Sequence, residues 1–239
     1  MCLLIYKPKG KSIPASHIRH AATVNPDGAG IAYFKRGRVH VEKSPRWSAC
    51  HVNRAMERLN EVPAIIHFRM ATHGSVNRAN AHPFNLPHGH AAAHNGVING
   101  MSCRQDESDT RAFLRDYVSP YLEKSGDIPA SLISLWEKEV GSFNKLAIMA
   151  PTGKVHLVNE RSGEWLNGVW YSNTYSLPST ALPSRFTPKP AMAYSDAPDL
   201  FTWHARPECF YCLSPINSAL GFGTLDNGEL LCDSCADKF

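Results

Sequence analysis

Cysteine at position 2, directly after the initiator methionine, is the residue of this chain best suited to act as a nucleophile. Methionine is readily removed when a small residue follows it, and its removal would leave Cys2 with a free α-amine. The pKa of a terminal amine is about 7.7–8.0, so a fraction is neutral at physiological pH and can take the thiol proton. One residue would then supply both nucleophile and base. Alternatively, Cys2 is simply part of a short apolar strand.

A second group of polar residues lies between positions 64 and 110. It consists of four short elements: His67-Phe68-Arg69-Met70-Ala71-Thr72-His73-Gly74, Asn80-Ala81-His82-Pro83-Phe84, His94-Asn95-Gly96 and Ser108-Asp109-Thr110. Arg69 is flanked by apolar strand residues, which is unusual for a solvated surface charge. Asp109 falls in the first turn of a predicted helix, where a carboxylate also favours the helix dipole. Asn95-Gly96 is also typical of a tight hairpin turn.

These elements, in this order and together with Cys2, resemble the class II glutamine amidotransferases, the glutaminase domain of the N-terminal-nucleophile hydrolases. Members of that family begin with a catalytic cysteine after methionine removal. They carry an Arg-x-Ala-Thr-His-Gly element, an Asn-x-His-Pro element, a His-Asn-Gly turn and a Ser-Asp-Thr-type helix start. The resemblance covers roughly residues 2–175. It implies an α+β fold, a four-layer αββα sandwich, and catalysis that needs no cofactor.

The resemblance also implies a reaction. Cys2 would attack the side-chain amide of glutamine, release ammonia and form a γ-glutamyl thioester that water hydrolyses. The side-chain amide of Asn95 and the backbone N–H of Gly96 would stabilise the oxyanion. Arg69 would bind the α-carboxylate of glutamine and Asp109 its α-ammonium group.

The remaining members of the implied substrate pocket are Thr72, His73 and His82, which would shape it or donate hydrogen bonds. The histidines between positions 67 and 94 are numerous enough to suggest a metal site. His90 and His94 have the H-x-x-x-H spacing of a zinc protease, but the segment between them is predicted to be a strand rather than a helix, and the family site uses no metal.

Two departures from the family leave the substrate open. Met70 follows the arginine where many synthase-linked members have tryptophan, and Asn25-Pro26 occupies a region where several have arginine. A hydrolase of a modified γ-glutamyl amide is therefore an alternative to a glutaminase. A catalytically silent scaffold is a second alternative. No synthase domain follows the glutaminase region, so the released ammonia is expected to supply a separate synthase or ligase.

Two C-x-x-C pairs near the C-terminus predict a structural zinc site. Their cysteines are Cys209, Cys212, Cys232 and Cys235, and 19 residues separate the two pairs. This spacing suits a closed four-thiolate Zn²⁺ site, which would stabilise a small zinc ribbon or knuckle; a redox dithiol and an iron site are the alternatives. The segment from 207 to 239 carries five acidic residues and a single lysine, so nucleic acid is an improbable partner and protein docking or simple capping is favoured.

The composition of the chain and its changes along the sequence predict its location and its division into regions. The chain has 239 residues, 43% hydrophobic and 19% charged, with a net charge of +4. The sequence has no run of five Lys or Arg residues, which argues against nucleic-acid binding. No segment is apolar enough for a membrane span, and the start lacks the pattern of a signal peptide. The chain is therefore predicted to be cytoplasmic. Three regions are predicted: an amidotransferase-like domain at 2–175, a proline-rich linker or strap at 176–206, and the zinc module at 207–239.

The elements that would position the site follow from periodicity and turn residues. Strands are predicted at 2–6, 29–34, 39–42, 64–69, 91–94, 145–149, 154–158 and 170–173. Helices are predicted at 48–59, at 109–122 with Ser108 as the N-cap, and at about 129–140.

Overall fold

The computed structural model describes residues 2–71 and 75–181, and the backbone of 222–224 and 230–232. Two compact units are present, Met1–Ser176 and Leu177–Phe239. Within the described part of the second unit, strand β11 (Phe222–Thr224) pairs antiparallel with β12 (Leu230–Cys232). The first unit contains the predicted amidotransferase-like region.

Two antiparallel sheets form the centre of the first unit. Their strands are β1 (Leu3–Lys7), β2 (Ala29–Lys35), β3 (Arg38–Ser44), β4 (Ala64–Phe68), β5 (Phe84–Leu86), β6 (His90–Asn95), β7 (Lys145–Met149), β8 (Val155–Val158), β9 (Glu164–Leu166) and β10 (Val169–Tyr171). The first sheet has the order β3-β2-β4-β1-β10-β9 and the second the order β5-β6-β7-β8. All eight strand predictions correspond to observed strands within a few residues, whereas the three-residue strands β5 and β9 were not predicted.

The strand that follows Cys2 lies inside the first sheet. β1 pairs with β4 on one side and β10 on the other. Leu3, Leu4 and Ile5 have no solvent exposure, which explains why this short segment is apolar at every position. Burial of each such side chain stabilises the fold by roughly 1.5–3 kcal/mol. The start of β1 is therefore held rigidly.

Small side chains allow the two sheets to pack closely. Ala91 and Ala93 of β6 belong to a buried cluster with Leu4 and Trp170 of the first sheet. Ala92, between them, points to the opposite face of its strand and joins the cluster beneath the later helices. The alternation explains the Ala91-Ala92-Ala93 run, because each face of β6 is buried against a different layer.

Five α-helices occur in the described part of the first unit. They are α1 (Ala15–Val24), α2 (Ala49–Arg58), α3 (Asp109–Phe113), α4 (Ser119–Ser125) and α5 (Ala130–Val140). The predictions for α2 and α5 are confirmed to within two residues, and α1 was not predicted. α1 contacts α2, and α2 contacts β2 of the first sheet. On the other side, α3, α4 and α5 bury Phe113, Leu122 and Trp136 in the cluster that contains Ala92.

The prediction of one regular helix over 109–122 was wrong in its middle. A π-helical turn, Leu114–Val118, separates α3 from α4. Pro120 lies in the first turn of α4 and has no backbone N–H to donate, which interrupts the regular hydrogen-bond ladder at this point. The predicted N-cap is confirmed, because the Ser108 hydroxyl accepts a hydrogen bond from the backbone N–H of Arg111.

Across residues 2–71 and 75–181, no helix combines the length and the apolar character that crossing a bilayer requires.

Candidate active site

Four separate chain segments meet at one cavity. It is lined by Cys2, Arg69, Gly96 and Asp109, among others. Cys2 precedes β1 and Arg69 follows β4, which are neighbours in the first sheet. Gly96 follows β6 of the second sheet, and Asp109 begins α3. The fold thus brings together residues that are up to 107 positions apart in the sequence.

The sulfur of Cys2 is held by the backbone of Met70. The Met70 N–H donates to the sulfur and the thiol donates to the Met70 carbonyl, each over 3.3 Å. Burial raises the pKa of the Cys2 thiol, and the hydrogen bond with Met70 and the charge of Arg69 oppose that effect only in part. The thiol is therefore protonated near neutral pH, and it needs a base to become a nucleophile.

Arg69 is nearly buried, at 5% exposure, and its backbone is anchored on the turn before β2. Its N–H donates to the Gly28 carbonyl over 2.9 Å, and its carbonyl accepts from the Asp27 N–H over 3.0 Å. The Asp27 carboxylate accepts a 2.6 Å hydrogen bond from the Ala71 N–H. These bonds fix the backbone on both sides of Met70, and with it the segment that holds the Cys2 sulfur.

The carboxylate of Asp109 has a structural role in addition to lining the cavity. One oxygen accepts a 2.7 Å hydrogen bond from the Ile98 N–H, and the other accepts a 2.8 Å bond from the Thr110 N–H. It therefore ties the segment after Gly96 to the start of α3. A carboxylate can accept about four hydrogen bonds, so capacity remains for a cation in the cavity.

Gly96 can only be glycine in this fold. Its φ is +145°, and a Cβ built at this position would lie 2.1 Å from the Asn144 Oδ1. That oxygen also lies 2.9 Å from the His94 Nε2, and the Asn144 amide donates to the Val140 carbonyl, so Asn144 is held in place. The missing side chain lets Asn144 pack directly against the backbone while Gly96 lines the cavity on its other side.

Asn95 is 4% exposed, and its side-chain amide donates a 2.7 Å hydrogen bond to the Ser172 hydroxyl. Unlike Gly96, Asn95 is absent from the residues that line the cavity. An amide nitrogen has two N–H groups, so one remains for a second acceptor.

Three buried histidines, His67, His82 and His94, line the cavity. The ring centroids of His67 and His82 are 4.2 Å apart, and those of His82 and His94 are 6.4 Å apart. Burial lowers the pKa of His67 to about 3, and burial lowers the pKa values of His82 and His94 as well. All three are therefore neutral at physiological pH. Among residues 2–71 and 75–181, no group of three or more His, Cys, Asp or Glu side chains is arranged to hold a metal ion.

Several predicted site residues lie outside the described residues. These are Thr72 and His73 of the substrate pocket and Cys209, Cys212 and Cys235 of the zinc module. For Cys232 the backbone alone is described, as the last residue of β12.

Two residues that follow β10, Ser172 and Asn173, contact the site but were not predicted from the sequence. Besides its bond with Asn95, the Ser172 hydroxyl accepts a 2.9 Å hydrogen bond from the Leu4 N–H. The Asn173 side-chain amide donates a 2.8 Å bond to the Cys2 carbonyl. The sole sequence signal was a pair of polar residues directly after a buried apolar strand, which does not identify their partners.

Comparison with protein-family models gives a match over residues 14–113 to the class-II glutamine amidotransferases. This range includes Arg69, Gly96 and Asp109 but begins after Cys2. The chain is also similar to glutamine–fructose-6-phosphate aminotransferases [isomerizing]. It is 28% identical over 149 residues to the enzyme of Xylella fastidiosa (strain Temecula1), covering 57% of this chain and 24% of that protein. It is 32% identical over 129 residues to the enzyme of Chlamydia muridarum, covering 49% of this chain and 21% of that protein.

The chain thus spans less than a quarter of the length of these curated relatives. Among solved structures, a glutamine phosphoribosylpyrophosphate amidotransferase from B. subtilis, complexed with ADP and GMP, matches with a TM-score of 0.44 and 19% identity, over 74% of this chain and 42% of that one. A glutamine aminotransferase class-II domain protein from Silicibacter pomeroyi matches with a TM-score of 0.37 and 15% identity, and the match covers 63% of this chain and 73% of that one. Residues 14–113 of this chain thus match the class-II glutamine amidotransferases, and the curated relatives that the chain resembles are themselves glutamine aminotransferases.

Proposed function

We propose that this chain hydrolyses the side-chain amide of glutamine through a γ-glutamyl thioester on Cys2 and delivers the ammonia to a separate acceptor enzyme. The observation that carries the proposal is the cavity itself. It is lined by Cys2, Arg69, Gly96 and Asp109, which come from four different segments. This set matches a substrate with an amide at one end and an amino-acid group at the other.

The proposed reaction begins with transfer of the thiol proton to the α-amine of a processed Cys2. The sulfur then attacks the amide carbon of glutamine, and the Gly96 N–H and the Asn95 amide stabilise the oxyanion. When the tetrahedral intermediate collapses, the carbon–nitrogen bond breaks and the ammonium of Cys2 returns its proton to the departing nitrogen, which leaves as ammonia. Water then attacks the thioester carbon, which releases glutamate and restores the thiol.

Recognition of the amino-acid end follows from opposite charges in the cavity wall. The Arg69 guanidinium would bind the α-carboxylate in a two-pronged contact, and the remaining capacity of the Asp109 carboxylate would bind the α-ammonium group. Because Arg69 is anchored through its backbone to the Asp27 turn, its position is set before substrate binds. His82 lines the same cavity and, held neutral, would contribute shape and hydrogen bonding without charge.

Replacing Arg69 with glutamine is expected to reduce kcat/KM for glutamine roughly 10- to 100-fold, because a charge-assisted hydrogen-bond pair to the α-carboxylate is lost. The same variant should turn over 4-aminobutanamide, which lacks that carboxylate, within a few-fold of the unsubstituted protein. Ammonia release from both substrates measures the difference. Arg78→Gln, at an exposed position outside the cavity, is the matched control. An equal loss with both substrates would exclude carboxylate recognition by Arg69.

The assay that tests the proposed function is the stoichiometric formation of glutamate and ammonia from glutamine by the purified protein. Met70 lines the cavity where many relatives of the family have tryptophan, which favours N-substituted γ-glutamyl amides as a second candidate substrate class. Turnover of both substrate classes should be compared on the same preparation. If the protein turns over the substituted amides but not glutamine, the glutaminase proposal is wrong and the chain is a γ-glutamyl amide hydrolase.

The acceptor of the ammonia is also a proposal. The curated relatives are named for transfer to fructose 6-phosphate, and the present chain spans less than a quarter of their length. A separate synthase or ligase is proposed as the acceptor enzyme. The αββα layer order is proposed on the contact of α2 with β2 of the first sheet, the contact of α1 with α2, and the packing of the later helices on the second sheet. A cytoplasmic location stays a prediction.

We further propose that Cys209, Cys212, Cys232 and Cys235 bind one structural zinc ion. The support is their spacing, since two C-x-x-C pairs suit a closed tetrahedral thiolate site. One zinc per chain is expected by elemental analysis of the purified protein. Cys232→Ser should lower this value, whereas Cys103→Ser, at an exposed cysteine in the first unit, should not. A metal-free protein that remains folded would contradict the proposal.

A further inference from the structure

The residue after β10 links the two sheets at the point where the proposed chemistry takes place. Ser172 has no solvent exposure, and its backbone N–H donates a 2.8 Å hydrogen bond to the Leu4 carbonyl. Its hydroxyl oxygen accepts a 2.9 Å bond from the Leu4 N–H in the first sheet and a 2.7 Å bond from the Asn95 amide at the end of the second sheet. Ser172 is therefore bonded both to the strand that follows the nucleophile and to a proposed oxyanion-hole residue.

The two accepted bonds determine how the Asn95 amide is oriented. A hydroxyl oxygen has two lone pairs, and N–H donors occupy both in this structure. Because the Asn95 amide donates one of these two bonds, its nitrogen end, and not its oxygen end, faces the Ser172 hydroxyl. Without that acceptor the amide would be able to turn over and present its oxygen, which repels an oxyanion, where its N–H belongs.

We propose that Ser172 is a positioning residue that acts through Asn95, holding the amide in the orientation in which its second N–H can donate to the oxyanion. The inference rests on the proposed function, because it assumes a tetrahedral intermediate on Cys2. It adds a role for a residue that contacts neither substrate nor sulfur.

A double-mutant cycle tests the coupling. Removal of one oxyanion donor lowers kcat by about 10²–10³-fold, so Asn95→Ala is expected to fall in that range. Ser172→Ala should lower kcat by roughly 10- to 100-fold with KM for glutamine nearly unchanged, because a misoriented donor affects the intermediate more than the bound substrate. In the Asn95→Ala background, Ser172→Ala should change kcat by less than about 3-fold, because residues that act as one unit are not additive.

Two controls separate positioning from a general structural effect. Ser172→Thr keeps the hydroxyl and should restore most of kcat. The alkylation rate of Cys2 by iodoacetamide should stay within about 2-fold of the unsubstituted protein in Ser172→Ala, because thiol reactivity requires no oxyanion donor. Asn173→Ala is the matched comparison, since the Asn173 amide bonds to the Cys2 carbonyl instead of to Asn95. The change in kcat caused by Asn173→Ala should be the same size in the Asn95→Ala background.

If the losses from Ser172→Ala and Asn95→Ala multiply in the double variant, Ser172 acts independently of the amide and the inference is wrong. If the alkylation rate of Cys2 falls in Ser172→Ala by as much as kcat does, Ser172 acts by stabilising β1 and not through Asn95. That result would also overturn the inference. Both outcomes presuppose an active unsubstituted protein. A protein that releases no ammonia from glutamine or from γ-glutamyl amides would instead refute the proposed function.

Discussion

Replacing Cys2 with alanine should reduce ammonia release from glutamine by about 10⁴–10⁶-fold, the loss typical of removing the nucleophile from a covalent mechanism. The physical reason is that no other thiol of the first unit's described residues lines the cavity. Cys50 is buried, and Cys103 is exposed at a different place. The measurement is ammonia and glutamate formation under saturating glutamine. Thermal unfolding should be nearly unchanged, because the Cys2 side chain contributes little to the core.

Covalent labelling tests the role of Cys2 as the nucleophile independently of the activity assay. A glutamine-mimicking diazo ketone should alkylate Cys2 once per chain and inactivate the protein in proportion, and the label should disappear in Cys2→Ala. Cys103→Ala, which removes an exposed cysteine outside the cavity, is the matched control and should keep both activity and labelling. Residual turnover in Cys2→Ala above about one per cent would mean that the reaction does not use a thioester at this residue.

Activity should also depend on a free amine at Cys2. A form of the protein with an extension before Cys2 is expected to be roughly 10²–10⁴-fold less active, the range that a general base contributes. The Cys2 thiol cannot compensate by ionising alone, because burial raises its pKa. An extension that ends in the recognition sequence of a site-specific protease allows the same polypeptide to be assayed before and after cleavage exposes Cys2. Mass spectrometry of the N-terminus records which form is present.

The pH dependence of the processed form follows from the same mechanism. The amine must be neutral to accept the thiol proton, so kcat/KM should fall as pH decreases through the amine pKa of about 7.7–8.0. The three buried histidines do not titrate in this range, because burial keeps their pKa values low. Full activity of the extended form, or a pH profile that is flat between 6 and 9, would contradict amine catalysis.

Local pattern was sufficient to predict most of the first unit. Apolar runs at 29–34, 64–69 and 145–149 predicted strands because both faces of these strands are buried, and Ser108 signalled the start of α3. α1 was missed because its ends carry no such signal. Its N-cap is Pro14 and no side chain caps it, so packing against α2 rather than a local motif stabilises this helix. The strands β5 and β9 have three residues each, too few for a period to be recognised.

For the site, the sequence by itself determined which residue types are present and in which order: a thiol at position 2, the arginine after an apolar strand, the glycine after a short alanine run and the aspartate at a helix start. It also carried the family resemblance that the match over 14–113 supports. Only the tertiary structure decided which of them share a cavity, because the antiparallel pairing of β1 with β4 and the packing of the two sheets bring the ends of distant strands together. Ser172 shows most clearly what the sequence alone does not predict. It bonds to Leu4 and Asn95, 168 and 77 residues away, and no local pattern encodes contacts at that separation.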